Sequence, residues 1–183
     1  MTGLLHLLNS TSKQSTITED AFLAIGAMTS ALESDFSRYA EPFVPILCTA
    51  LQNPAEYQLC SIAVGLIGDL CRAMGEGVTV YCNTFMQLLV SNLQSPVLHR
   101  TVKPNILSCF GDVALAIGDK FEPYLDVVMM VLQQAGSMRA EKDNFEMIDY
   151  VNTLHEGNVE AYVGIVQGFS GSQRGKTIHS DFV

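Results

Sequence analysis

No run of about 18 consecutive apolar residues, the length a bilayer-spanning helix needs, occurs in this sequence. Residues 1–8 carry neither a basic flank nor a small-residue cleavage site of the kind that marks a secretory leader. Membrane insertion is therefore not expected, and the default compartments are cytoplasm and nucleus. Basic residues are scarce: ten Lys and Arg stand against 19 Asp and Glu, a formal net charge of −9. They are scattered singly. A phosphate backbone is gripped by clustered cations, so nucleic acid is disfavoured as a partner. A negative field suits basic protein partners, whose encounter it accelerates, although the same acidity also keeps an apolar chain in solution. The five cysteines (Cys48, Cys60, Cys71, Cys82 and Cys109) are odd in number and include no C-x-x-C pair. That pattern reads as reduced, buried thiols acting as small hydrophobes. His6, His99, His155 and His179 lie far apart and lack i, i+4 partners, so no metal ligation is expected.

What the chain does contain is a repeat. Gly26, Gly68 and Gly111 are 42 and 43 residues apart; a tyrosine follows each after 13 residues (Tyr39, Tyr81, Tyr124) and a leucine after 21 (Leu47, Leu89, Leu132). A period of about 40–47 residues with helical patterning belongs to stacked two-helix repeats of the HEAT or armadillo kind. In the middle unit, Ala63, Ile67, Leu70 and Met74 form one apolar stripe and Tyr81, Phe85, Leu88, Leu89 and Leu93 a second, with Gly75 and Gly77 between them as a helix stop. The first and third units follow the same course.

The predicted fold is thus an all-α HEAT-repeat α-solenoid of about three full helical pairs plus partial repeats at both ends. Residues 1–18 read as the end of a preceding repeat and a linker; 19–53, 54–95 and 96–136 as repeats; and 137–170 as the first helix segment of a further repeat, broken or irregular near Gly157. The polar tail 171–183 is expected to be disordered. Neither end offers the polar capping face a free solenoid requires, so the chain reads as a slice of a longer superhelix. Mid-helix glycine costs about 1 kcal/mol relative to alanine. At 26, 68 and 111, a close helix-to-helix approach offsets that cost.

Two patterns invite a catalytic reading, and both fail. Gly171 to Thr177 ends like a phosphate-binding loop, but it has three residues between its glycines where four are needed, and helical pattern where a strand should precede. Asp69 and Asp112 each follow a repeated glycine, with Arg72 three residues after Asp69. No nucleophile or second acid repeats beside them, so pairing with a neighbouring repeat's basic side chain or capping groups in the stack is the expected role. The chain holds no enzyme constellation, and no cofactor is expected.

At the level of residues, the run Ala63-Val64-Gly65-Leu66-Ile67-Gly68-Asp69-Leu70-Cys71-Arg72-Ala73 resembles the central to C-terminal HEAT repeats of the karyopherin-β family of nuclear import receptors. So do His99-Arg100 with Val102-Lys103-Pro104, Phe110-Gly111-Asp112 with Ala114 to Gly118, Leu132-Gln133-Gln134-Ala135, and Glu160-Ala161-Tyr162 with Gly164 to Gly168. The likeness covers about residues 3–170; the family's chains are several times longer, and after Phe169 the expected next helix is replaced. It implies a transport receptor that binds basic import signals or the importin-α adaptor on the concave B-helix face. It further implies FG nucleoporins held in grooves between A helices, and release by Ran-GTP in the full-length protein. The compartments it implies are cytoplasm and nucleus, including the nuclear envelope at pores. Glu41, Asn83 and Asp126 share one repeat position on the B helices, with Gln52, Gln87, Gln94 and Gln133 on a nearby polar side. These seven are the candidates for the concave partner face, against simple solvation. Phe22, Leu23, Ile62 and Leu66 are the candidates for an FG groove, against core packing. The competing function is a HEAT scaffold subunit of a multi-protein complex such as a phosphatase.

Overall fold

A computed structural model describes residues 1–10, 16–141 and 143–170. The tail at 171–183, with its phosphate-loop-like Gly171 to Thr177 and His179, lies outside the described residues. Eight α-helices follow in order: α1 (Thr2–Ser10), α2 (Thr16–Leu32), α3 (Ser37–Leu51), α4 (Tyr57–Met74), α5 (Thr79–Gln94), α6 (Lys103–Ile117), α7 (Glu122–Ser137) and α8 (Phe145–Gly168). Among the described residues there is no strand. The A helices α2, α4, α6 and α8 stack in sequence, and the B helices α3, α5 and α7 form a second layer, with α1 against α2 and α3. This is a HEAT-repeat solenoid. α2 begins at Thr16, inside the stretch read as linker.

The repeat is visible in the core as equivalent atoms. Ile25, Ile67 and Phe110 on the A helices, and Phe43, Phe85 and Val128 with Leu47, Leu89 and Leu132 on the B helices, are all fully buried in one core. Burying such side chains is worth about 1.5–3 kcal/mol each, so the periodic pattern alone is enough to drive pairing of A with B. The five cysteines are free; four are buried and Cys48 is half-buried, and burial pushes the Cys60 and Cys82 thiols up to about 11. They are packing groups. The segment Tyr57–Gln94 is long and apolar enough to cross a membrane by length and composition, with an 18-residue window of mean hydropathy 1.2. It is, however, two helices joined at Gly75, and half of that window is buried inside the fold.

Each A helix passes to its B helix through a short 3-10 turn, at Glu33–Phe36, Gly75–Val78 and Gly118–Phe121, whose last residue is fully buried. Gly75 and Gly118 open their turns at φ +52°, ψ −131° and φ +56°, ψ −130°, a region open in practice only to glycine. The first repeat has Glu33 there, at φ +48°. A left-handed conformation costs an L-residue roughly 1–2 kcal/mol, and glycine gives part of that back as unfolded-state entropy. Glu33→Gly is therefore expected to raise stability by about 0.5–1 kcal/mol, read as a higher urea midpoint at constant slope.

One sequence reading is corrected. α8 runs unbroken through Gly157 for its 24 residues. Gly157 does not interrupt a helix; it is the point where α8 lies against the Pro104 carbonyl of α6, with no room for a Cβ. Asn144 caps this helix by accepting a hydrogen bond from the Met147 N–H at 3.0 Å.

Candidate partner-binding grooves

The stacking of A helices creates the first groove. Gly26 on α2 faces α4 so closely that a Cβ there would lie 3.1 Å from the Asp69 carboxylate and 3.2 Å from a Leu66 methyl. Beside this contact runs a groove of about 390 Å³, lined by Phe22, Leu23, Ala27, Ile62 and Leu66 among others. All four residues expected to line an A-helix groove therefore lie in one place. Their exposures differ. Phe22 is fully buried, edge-on to Phe43 with ring centroids 5.7 Å apart, and Leu66 is buried as well, so both form the floor and also serve the core. Ile62 is half-buried, and Leu23 is 57% exposed at the lip.

The second groove lies in the other layer, between α5 and α7, with a volume of about 490 Å³. Asn83, Gln87 and Gln94 supply an amide rim, and Met86, Val90, Tyr124, Val127 and Val128 an apolar floor. Of the seven B-helix candidates, these three are brought together. Glu41 on α3, Gln52 just after it, and Asp126 and Gln133 on α7 are exposed but do not line this groove. Sequence reasoning missed the floor. The available signal was Val127, 44% exposed and off the core stripe of its helix.

A third, polar groove of about 350 Å³ crosses α4, α6 and α8, lined by Arg72, Ser108, Asp112, Glu156 and Glu160 among others. Its centre is an ion-pair bridge: Arg72 donates to Asp69 at 2.8 Å and across the repeat boundary to Asp112 at 2.9 Å. Both repeated aspartates are structural: Asp112 pairs with the neighbouring repeat's Arg72 as expected, whereas Asp69 pairs with Arg72 on its own helix. Burial raises the Asp112 carboxyl above its ordinary range even with Arg72 beside it. The two carboxylates make Arg72 hold its proton more tightly in spite of its own partial burial.

The described ion pairs consume much of the positive charge. Arg38, Arg72, Arg100 and Lys120 each pair with a carboxylate, whereas Glu41 and Asp126 enter none of the ion pairs among the described residues. What remains is a net negative surface with two grooves on separate helix layers, one floored by aliphatic and aromatic side chains, the other rimmed by amides.

Comparison with known proteins gives this arrangement a family. Importin subunit beta-1 of Schizosaccharomyces pombe is 56% identical over 168 residues, which is 91% of this chain and 20% of that protein. Importin subunit beta-1 of Arabidopsis thaliana is 44% identical over 164 residues, 88% of this chain and 19% of that one. The chain therefore spans about a fifth of the length of the curated relatives it matches. Among solved structures, a crystal form of importin beta from ammonium sulfate superposes with a TM-score of 0.91 at 42% identity, over 98% of this chain and 21% of that one. A complex of Kap95 with Nup1 gives 0.87 at 33% identity, over 95% and 20%. A structure of Kap95p with RanGDP gives 0.87 at 31%, over 99% and 21%. The family model described as importin subunit beta-1-like, TPR repeats, matches residues 1–182, and the chain belongs to that family.

Proposed function

We propose that this chain is a segment of a nuclear transport receptor, working in cytoplasm and nucleus and at the nuclear pore. It presents its B-helix face to a basic import signal or to the importin-α adaptor, and the α2/α4 groove to FG nucleoporins. In the full-length receptor, Ran-GTP binding releases the cargo. The observation that carries this reading is the separation of two grooves on two helix layers: Leu23 and Ile62 over an aromatic floor on one, an amide rim on the other, with Glu41 and Asp126 exposed elsewhere on the B helices. Support also comes from relatives: Kap95 is solved with Nup1, and Kap95p with RanGDP. No catalytic step enters, since Asp69 and Asp112, the carboxylates best placed for one, are engaged by Arg72.

The test compares two peptides. A basic, importin-α-type peptide is attracted at long range, so its affinity falls as salt shortens the Debye length from about 10 Å at 0.1 M to about 3 Å at 1 M. Replacing Glu41 and Asp126 together by lysine is expected to lower its association rate roughly tenfold in stopped-flow at low salt. Binding of an uncharged FG peptide is expected to stay as it was. Leu23→Asp is expected to do the reverse. Equal losses for both peptides in either variant would mean that the fold had been damaged, and binding of neither peptide by the parent chain would favour the scaffold function.

A further inference from the structure

We infer that this segment bends at its first two A-helix joints and not at its third, with α6 and α8 moving as one body and Arg72 clamping the second joint. The three joints occupy equivalent places in the repeat, yet different atoms fill them. At the first, Gly26 faces the ends of two side chains, Asp69 and Leu66. At the second, Gly68 faces the Asp112 carboxylate and, 3.3 Å from where its Cβ would lie, the Arg72 guanidinium. At the third, Gly111 faces backbone: a Cβ there would lie 2.8 Å from the Glu160 carbonyl oxygen and 2.9 Å from the Ala161 Cα.

α8 answers in kind. Gly157 lies on the Pro104 carbonyl, Gly164 on the backbone of Gly111, and Gly168 on the Ala114 carbonyl. From Gly157 to Gly168 this seam runs about 16 Å at 1.5 Å per residue. Packed helices slide past one another by small readjustments of the side chains between them. The first two joints have such side chains, with free torsions to absorb the movement; the third has backbone against backbone and nothing to rotate. Ser108 on α6 donates to Glu160 on α8 at 2.6 Å within this seam, and Arg100 pairs with Glu146 and lies over the Tyr150 ring at 5.5 Å beyond its Gly157 end.

The first two joints differ from each other in polarity. Among the described residues, no hydrogen bond or ion pair joins α2 to α4, so that joint is held by apolar contact. Three polar ties cross the second: Asn105 to Ser61 at 3.0 Å, Arg72 to Asp112 at 2.9 Å, and Lys120 to Glu76 at 2.8 Å. Arg72 is the central one, bound at once to its own helix and to the next, and its side chain is 59% exposed, within reach of dissolved ions. The second joint is therefore the salt-sensitive one. The first is the softest, and it forms the floor of the α2/α4 groove, so a side chain seated there acts directly on the angle between the first two repeats.

Pulsed electron–electron distance measurements on the 183-residue chain test this. Spin-labelled non-natural residues at the exposed positions Ala31, Gln58, Leu115 and Asn152 leave the cysteines untouched and sample α2–α4, α4–α6 and α6–α8 on diagonals of comparable length. At low salt the Ala31–Gln58 distribution is expected to be roughly twice as wide as Leu115–Asn152, with Gln58–Leu115 between them. Raising salt to about 1 M, or introducing Arg72→Gln, is expected to widen Gln58–Leu115 toward the α2–α4 value and to leave Leu115–Asn152 as it was. Equal widths at all three joints would overturn the inference. So would an α6–α8 distribution that broadens with salt as much as α4–α6 does. The salt titration on the parent chain decides the matter even where Arg72→Gln folds poorly.

Discussion

Gly164→Leu is expected to detach α8 from the solenoid. The glycine sits on the backbone of Gly111, where even a single methyl group has no room, and the atoms in the way belong to a helix that cannot turn aside as a side chain would. Overpacking in a core typically costs 1–3 kcal/mol and more where nothing yields, so a loss above about 3 kcal/mol is expected. The signature is local. Val151, Leu154, Ala161, Ile165 and Phe169 are buried on or just after this helix, and their exposure should appear as fast amide exchange across residues 145–169 while α2 to α5 keep their protection. Full protection of α8 in the variant would mean that the helices are not in backbone contact. Gly136→Ala is a useful contrast: a Cβ there would lie 3.0 Å from the end of the Asn158 side chain, which can move, and the loss should be much smaller.

Phe110→Ala is expected to cost about 3–5 kcal/mol, as lost transfer energy plus the cavity left behind. Phe110 is fully buried in the middle of α6, at the place held by Ile25 and Ile67 in the two preceding repeats. α6 itself is packed by α4 on one side and α8 on the other, so collapse around the cavity is restricted. Because contacts in a solenoid are between neighbours, the loss should be felt most in repeats on either side of α6 and little at α1. An unchanged denaturation midpoint would place Phe110 outside the core. The effect should add to that of Glu33→Gly, which lies two repeats away and shares no partner with it.

The same neighbour-to-neighbour logic explains which features the sequence discloses. Ile25, Ile67 and Phe110, or Leu47, Leu89 and Leu132, can be found from spacing because an identical packing environment recurs every 42 or 43 residues and selects an apolar residue each time. The glycines at 26, 68 and 111 were legible for the same reason, as was a structural role for the aspartates that follow Gly68 and Gly111. Gly157 was misread as a break because, in a single sequence, a glycine that permits close approach and one that ends a helix look alike. The groove candidates were legible only as residues left over from the core stripe. That criterion found Leu23, but it cannot distinguish a side chain such as Phe22, which belongs to the floor of a groove and to the core together.

By itself, the sequence determined the helices, their repeating pairs and the acidic charge, since each of these depends on local periodicity, turn chemistry or summed charge. Tertiary structure alone decided how the repeats meet. Whether a glycine faces a carboxylate or another backbone, whether Arg72 reaches across to Asp112, and whether Asn83, Gln87 and Gln94 converge while Glu41 stands apart all depend on the angle and offset between adjacent repeats. That angle is set by side-chain volumes packed over the whole joint, and no short window of sequence contains both faces of it.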